Sequence, residues 1–204
     1  MTRATSDIRN LALVGDVGSG KTLLAEALLL SAGAIRQKGA LERGTTVTDW
    51  APLEKKLGHS LEVALCHLES GSVTVNVADT PGYGDFLGGT LAALEAVETA
   101  VVVVNAAAGV GPMARRLMTF AKERGLCRAI VVTGIDRPEA RPADVLEELR
   151  EAFGKECLPL DLPTTYGSAV VDCFFQPRVR RRRSRPCGPR TRRSSSRSSR
   201  STTR

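Results

Sequence analysis

Three short stretches carry residues whose types and spacing point to chemistry. In the first, Gly15, Gly20, Lys21 and Thr22 satisfy G-x-x-x-x-G-K-[ST] without a gap. In that pattern the backbone N–H groups of Gly15, Asp16, Val17, Gly18, Ser19 and Gly20 turn inward around a polyphosphate, and a helix starting directly afterwards adds the partial positive charge of its N-terminus. Lys21 would reach the β- and γ-phosphates, and Thr22 would offer its hydroxyl to Mg²⁺. The second stretch runs from Asp79 through Thr80 and Pro81 to Gly82. A carboxylate at a strand end, followed by a turn whose glycine exposes its N–H, is what a magnesium–triphosphate needs on its far side. Asp79 would hold a metal-bound water, and Gly82 would sense the terminal phosphate. Alone, Asp-x-Pro-Gly is also a common turn, so its weight comes from the phosphate loop that precedes it. The third stretch, Thr133 to Asp136, places a carboxylate just after a strand. Its two oxygens can accept from the ring N–H and the exocyclic NH₂ of guanine. Adenine has no donor at that ring nitrogen, so Asp136 points to a guanine nucleotide, GTP or GDP.

These residues need elements to hold them together. Residues 11–14 are four apolar positions, a short buried strand leading into the glycine loop. Residues 23–32 are rich in Leu and Ala and predict a helix capped at Gly33. Periodicity is then lost from 34 to 60, where Gly39, Gly44, Thr45, Thr46, Thr48 and Pro52 punctuate a long irregular segment; a loop of that length in a compact domain usually has a task. Residues 61–68 and 72–78 alternate around Gly71 and predict a hairpin. Beyond it, the pattern gives a helix over 86–98, a continuous apolar strand over 99–104 and a small-residue loop over 106–111. A helix opened by Pro112 and closed by Gly125 comes next, then a buried strand over 128–133 and a helix over 142–153 capped at Gly154. Such alternation predicts an α/β fold of the P-loop NTPase kind: three layers, a mostly parallel central sheet and helices on both faces. Ligands in such folds sit at the carboxyl ends of the strands. Gly15, Asp79 and Asp136 all stand at such ends and make one site.

The net charge of +7 hides two unlike parts. Residues 178–204 hold twelve arginines and no acid, so residues 1–177 keep 17 of the 29 basic residues against all 22 acids and carry a net −5. The expected organisation is an acidic globular domain over 1–177 and a disordered Arg/Ser-rich tail over 178–204, since the tail has almost nothing apolar to bury. A protein that is basic throughout is excluded. The first residues lack the apolar run of a signal peptide, and no run is long enough to span a bilayer. The expectation is a cytoplasmic protein with no membrane partner. Cys66, Cys127, Cys157, Cys173 and Cys187 are odd in number and form no C-x-x-C pair, so neither a disulfide framework nor a zinc site is indicated.

In their order and content these blocks resemble the nucleotide-binding domain of translational GTPases, elongation factor G above all, over about residues 8–177. The similarity rests on Gly15 to Thr22, on Gly44 to Trp50, on Asp79 to Phe86, on Val101 to Pro112 and on Thr133 to Asp136. It implies Mg²⁺-dependent GTP binding and hydrolysis, with the ribosome as partner. The departures matter. Family members carry Asp where this chain has Gly18. Their first switch ends in Arg-Gly-Ile-Thr with the Thr on Mg²⁺; here Leu57, Gly58, His59 and Ser60 match it, which makes Ser60 the substitute ligand. Their catalytic His is Tyr83 here, with His59 as a neighbour able to stand in for it. Their Asn-Lys-x-Asp box has Thr133 and Gly134 in its first two places. The pattern is that of a divergent paralogue. Ser168 with Ala169 reads either as the fifth guanine motif or as part of the insert that elongation factor G carries at this place.

The function this implies is a weak GTP hydrolase working as a translation-factor-like switch, with Lys21 and Tyr83 as its catalytic residues. Its metal ligands would be Thr22, Ser60 and Asp79, and its nucleotide-binding set would run from Gly15 to Thr22 and add Asp79, Gly82, Thr133 and Asp136. Two other classes stand beside it: a nucleotide-binding fragment without turnover, and an RNA-binding protein acting through its tail. Twelve arginines would attract nucleic acid non-specifically and in a salt-dependent way, with no interleaved aromatic to stack on bases. The abrupt loss of acids after about Pro177 carries a further expectation: residues 1–177 are an incomplete G domain, and the tail is a shifted reading frame or a truncated copy of a longer gene.

Overall fold

The computed structural model describes residues 4–137, 140–163 and 170–173; Ser168, Ala169 and the Arg/Ser-rich segment 178–204 lie outside the described residues. The described residues form seven strands, β1 (Ile8–Val14), β2 (Ala64–Ser70), β3 (Val73–Asp79), β4 (Thr99–Asn105), β5 (Cys127–Thr133), β6 (Asp161–Pro163) and β7 (Val170–Asp172). Five α-helices accompany them among those residues, α1 (Lys21–Ser31), α2 (Pro52–Leu57), α3 (Leu87–Glu95), α4 (Pro112–Glu123) and α5 (Pro142–Phe153). The main sheet has the order β2-β3-β1-β4-β5. β1 runs parallel to β3 and β4, and β4 parallel to β5, while β2 returns antiparallel along β3 as the expected hairpin. β6 and β7 form a separate antiparallel pair.

The period of two along each strand divides the core into two layers. Ala12, Val14, Ala100, Val102 and Val104 face Leu94 of α3, Ala114, Leu117 and Ala121 of α4, and Val145 and Leu149 of α5. Leu13, Val77, Val101 and Val103 face the other way, against Ala25 and Leu29 of α1. The three-layer, mostly parallel α/β fold read from the sequence is the fold of the protein.

Four element boundaries differ from the sequence reading, each for a physical reason. Helix α2 lies inside the segment expected to be irregular, because Pro52 sits at its first turn, where a proline starts a helix rather than breaking it. Strand β2 begins at Ala64 rather than at residue 61: the N–H groups of Leu61 and Glu62 donate to Glu54 Oε1, at 2.9 and 3.3 Å, and not to a strand neighbour. Helix α3 stops at Glu95, and Glu98 beyond it accepts from the backbone N–H and the side-chain amide of Asn10, at 2.7 and 3.0 Å. β5 is an edge strand, exposed at Cys127, Arg128 and Ala129 and half-buried from Ile130 to Thr133, where the sequence suggested a buried one.

The irregular segment is held by buried carboxylates rather than by an apolar face. Glu26, on α1, is fully buried and accepts the N–H groups of Gly39 at 2.6 Å and Val47 at 2.5 Å. Glu54 closes the first turn of α2 through the Ala51 N–H, at 3.1 Å, while holding Leu61 and Glu62. Replacing Glu26→Ala leaves two N–H groups without their acceptor, at a cost of about 1–3 kcal/mol. The expected outcome is a lower melting temperature together with faster tryptic cleavage after Arg36, Lys38 and Arg43; a cleavage pattern identical to that of the parent chain would contradict this role for Glu26.

Candidate nucleotide-binding site

Strand β1 ends at Val14, and Gly15 takes φ +143°, with its Cα so close to the sheet that a Cβ there would lie 2.4 Å from the carbonyl oxygen of Val103. Only glycine fits at that approach. The chain then turns through residues 16–20 and enters α1 at Lys21. The Lys21 ammonium is folded back over its own loop, donating to the carbonyls of Gly15 at 3.1 Å and Asp16 at 2.8 Å and to Ser19 Oγ at 3.5 Å. Burial pulls its pKa down to about 8, against the attraction of Asp79 and Asp16. Gly82 packs on the same point: a Cβ there would stand 2.7 Å from both Lys21 Nζ and the Val17 nitrogen. The two glycine-bearing turns found in the sequence therefore touch across the lysine.

Parallel pairing of β1 with β3 sets Leu13 opposite Asp79, which brings the Asp79 carboxylate to the mouth of the loop. Oδ2 of Asp79 accepts from Thr22 Oγ1 at 2.8 Å and from Thr48 Oγ1 at 2.9 Å. Thr22 Oγ1 also lies 3.5 Å from Ser60 Oγ, which donates to Asp49 Oδ1 at 2.7 Å; Thr46 Oγ1 holds Asp49 Oδ2 at 3.0 Å. Burial raises the Asp79 pKa to about 6, opposed by the Thr22 and Thr48 hydroxyls and by Lys21 and assisted by the negative charge of Asp49. Oδ1 of Asp79 is buried and has no hydrogen-bond partner among the described residues. One buried cluster thus holds two carboxylates, several hydroxyls and an orphaned acidic oxygen, the hard-oxygen donor set that suits Mg²⁺.

The other sequence-predicted residues fall around this cluster, with differences. Asp16 lies in the loop, but its carboxylate turns away and caps α4, accepting from the N–H groups of Met113 and Ala114 at 3.0 Å each. The role expected of Asp16 rests on its backbone N–H, and its side chain is engaged with α4. Thr133 is a brace behind the loop: its hydroxyl donates to the carbonyl of Ser19 at 2.6 Å and reaches that of Val104 at 3.4 Å. Asp136 is exposed just past the end of β5. Tyr83 is 40% exposed, with its ring centroid 4.6 Å from that of His59, so the irregular segment and the Asp79 turn meet at these two rings.

Sequence reasoning missed Thr48, Asp49 and Asn105. Asn105, at the end of β4, donates from Nδ2 to the carbonyl of Gly18 at 3.4 Å. Thr46, Thr48 and Asp49 left a signal, a run of hydroxyls and a carboxylate in a segment with no apolar period, but nothing in their spacing says which strand end they reach. A groove of about 580 Å³ between α3 and the β1–β3 strands, lined by Leu65, Cys66, Ala92 and Ala96 among others, lies apart from the cluster and holds no carboxylate. Among the described residues no helix is long and apolar enough to cross a membrane.

Comparison with known proteins agrees with this geometry. Residues 6–180 match the family model of the elongation factor Tu GTP binding domain. The chain is 38% identical over 169 residues to an elongation factor G-like protein of Mycobacterium tuberculosis, covering 83% of this chain and 23% of that protein. It is 32% identical over 171 residues to peptide chain release factor 3 of Gloeothece citriformis, covering 82% of this chain and 32% of the relative. A crystal structure from Thermus thermophilus superposes with a TM-score of 0.78 at 41% identity, over 83% of this chain and 26% of that one. This chain therefore spans about a quarter to a third of the length of these relatives. With the glycine loop, the Asp79 turn and the Thr133–Asp136 corner in one order and at one edge of the sheet, the chain belongs to the family of elongation factor Tu-type GTP binding domains.

Proposed function

We propose that the chain binds Mg²⁺ with GTP or GDP at the carboxyl edge of the sheet and hydrolyses GTP slowly, as a translation-factor-like switch. The observation that carries this reading is the buried cluster of Thr22, Thr48, Ser60 and Asp79 set against Lys21, with Asp79 Oδ1 unpartnered among the described residues. Thr22, Ser60 and Asp79 would hold the cation, Asp79 through a bound water. When bound there, Mg²⁺ supplies neutralisation of the charge that develops on the β- and γ-phosphate oxygens. The rest falls to the chain. The backbone N–H groups of residues 15–20 cradle the phosphates, Lys21 exchanges its carbonyl partners for phosphate oxygens, and the Gly82 N–H meets the terminal phosphate. Asp136 accepts from the guanine edge.

By the family resemblance Tyr83 takes the place of a water-holding histidine, and with one hydroxyl and no imidazole it would orient the attacking water less well than a histidine does. This is the basis for slow turnover. We assign residues 1–177 to the nucleotide-binding unit and 178–204 to a separate basic tail. The relatives carry names of translation proteins, which supports a cytoplasmic role and a ribosomal partner for this chain.

Three measurements test the proposal. GDP should displace a fluorescent guanine nucleotide from the full chain on the order of 10²-fold better than ADP, and Asp136→Ala should abolish that preference; equal competition by GDP and ADP in the parent chain would sink the guanine assignment. Asp79→Asn should weaken GTP binding in the presence of Mg²⁺ far more than it does once EDTA has removed the ion, because both changes act on one interaction; fully additive losses would separate Asp79 from the metal. Under single-turnover conditions Tyr83→His should raise the hydrolysis rate, and a rate that falls on this change would remove Tyr83 from the water-positioning role.

A further inference from the structure

The corner at the end of β5 is built differently from what its sequence suggests. Gly134 has φ +67° and no side chain of its own, yet the space above it is filled: a Cβ at this position would lie 3.6 Å from both Cδ and Nε of Arg137. The Arg137 N–H donates to the Gly134 carbonyl at 3.2 Å, and the Ala140 N–H donates to the Arg137 carbonyl at 3.0 Å. This turn reverses the chain and lays the outer stem of Arg137 back across the strand end instead of letting it project from the turn. The same point above Gly134 is 3.7 Å from Asn105 Nδ2. Asn105 in turn holds the carbonyl of Gly18, and Thr133 holds that of Ser19. Arg137 is thus on the phosphate-loop side of the corner, next in sequence to Asp136.

We infer that Arg137 forms one wall of the base pocket, its guanidinium lying against the flat face of the purine while Asp136 takes the ring's donor edge. The inference rests on the nucleotide reading above and goes beyond it, since nothing in the phosphate or metal cluster involves Arg137. A guanidinium suits this task because it is planar, weakly hydrated and always charged, and it stacks on aromatic rings where a compact ammonium would keep its water. Gly134 is part of the device: its φ of +67°, which side-chain-bearing residues rarely adopt, sets the turn on which the Arg137 stem folds back. Asn105 and Thr133 supply the other half, fixing the glycine loop at a set distance from the wall.

The experiment is direct titration calorimetry on the full chain, with GDP and with inorganic tripolyphosphate as the two probes in the presence of Mg²⁺. Arg137→Ala and Arg137→Gln should each weaken GDP about 3- to 30-fold, the range of a partly desolvated cation–π contact, and should leave tripolyphosphate affinity as it is in the parent chain. Arg137→Lys should fall between the parent and Arg137→Ala. Arg137 is exposed, so the melting temperature of the ligand-free variants is expected to match the parent. Unchanged GDP affinity in both variants overturns the inference. An equal loss for GDP and tripolyphosphate overturns it as well, because Arg137 would then be serving the phosphates. If the parent chain itself binds no GDP, the nucleotide reading fails first and this inference falls with it.

Discussion

The structure turns on a carboxylate that water cannot reach. Asp79 is buried at the end of a central strand, and burial makes its charged form more costly, which is why its pKa rises to about 6. What keeps it useful is a pair of hydroxyl donors delivered from two places in the chain, Thr22 from the start of α1 and Thr48 from the irregular segment, together with the charge of the nearby Lys21 ammonium. Each donor fixes its own element relative to β3. Register between β1 and β3 is therefore more than a packing detail, because a slip of one residue would turn Asp79 to the other face of the sheet and leave the hydroxyls without an acceptor.

Much of this is legible in the residues alone. The apolar run of β4, the alternation of the hairpin, the glycine loop and the carboxylate after β3 each depend on local spacing, and local spacing is what a sequence displays. Helix α2 is not legible, because Pro52 and Gly58 look like breakers until one knows that Glu54 lies between them with its carboxylate on the Ala51 N–H. The start of β2 is lost for the same reason: Leu61 and Glu62 read as strand, and a side chain seven residues upstream of Leu61 claims their N–H groups. Buried carboxylates that bind backbone leave no period, so sequence patterns pass over them.

Asp16 gives the sharper lesson about the site. Its place inside the glycine loop invites a role toward phosphate, yet both of its oxygens accept from the first turn of α4. Gly111 stands where a side chain would collide with that carboxylate, so the cap works only with glycine there. Thr133 and Asn105 tie the loop's other carbonyls to the ends of β5 and β4. The loop is thus anchored on its outer side to three elements, to α4 through its own Asp16, to β5 through Thr133 and to β4 through Asn105. Position in a motif gives Asp16 a backbone role and leaves its side chain unread, since a motif records which atoms line a ligand and says nothing of what holds the lining still.

Glu54 has a mechanical consequence. By gripping Ala51 at one end and Leu61 and Glu62 at the other, it ties residues 51–62 into a closed ring, with His59 and Ser60 inside it. A ring cannot fray from a free end. The Ser60 backbone therefore moves away from Thr22 when the whole ring swings as one body or when the Glu54 grip breaks, and both routes are cooperative steps rather than residue-by-residue loosening. The backbone amides of Leu61 and Glu62 should accordingly exchange with solvent at a common rate, one that reports how often this flap lifts.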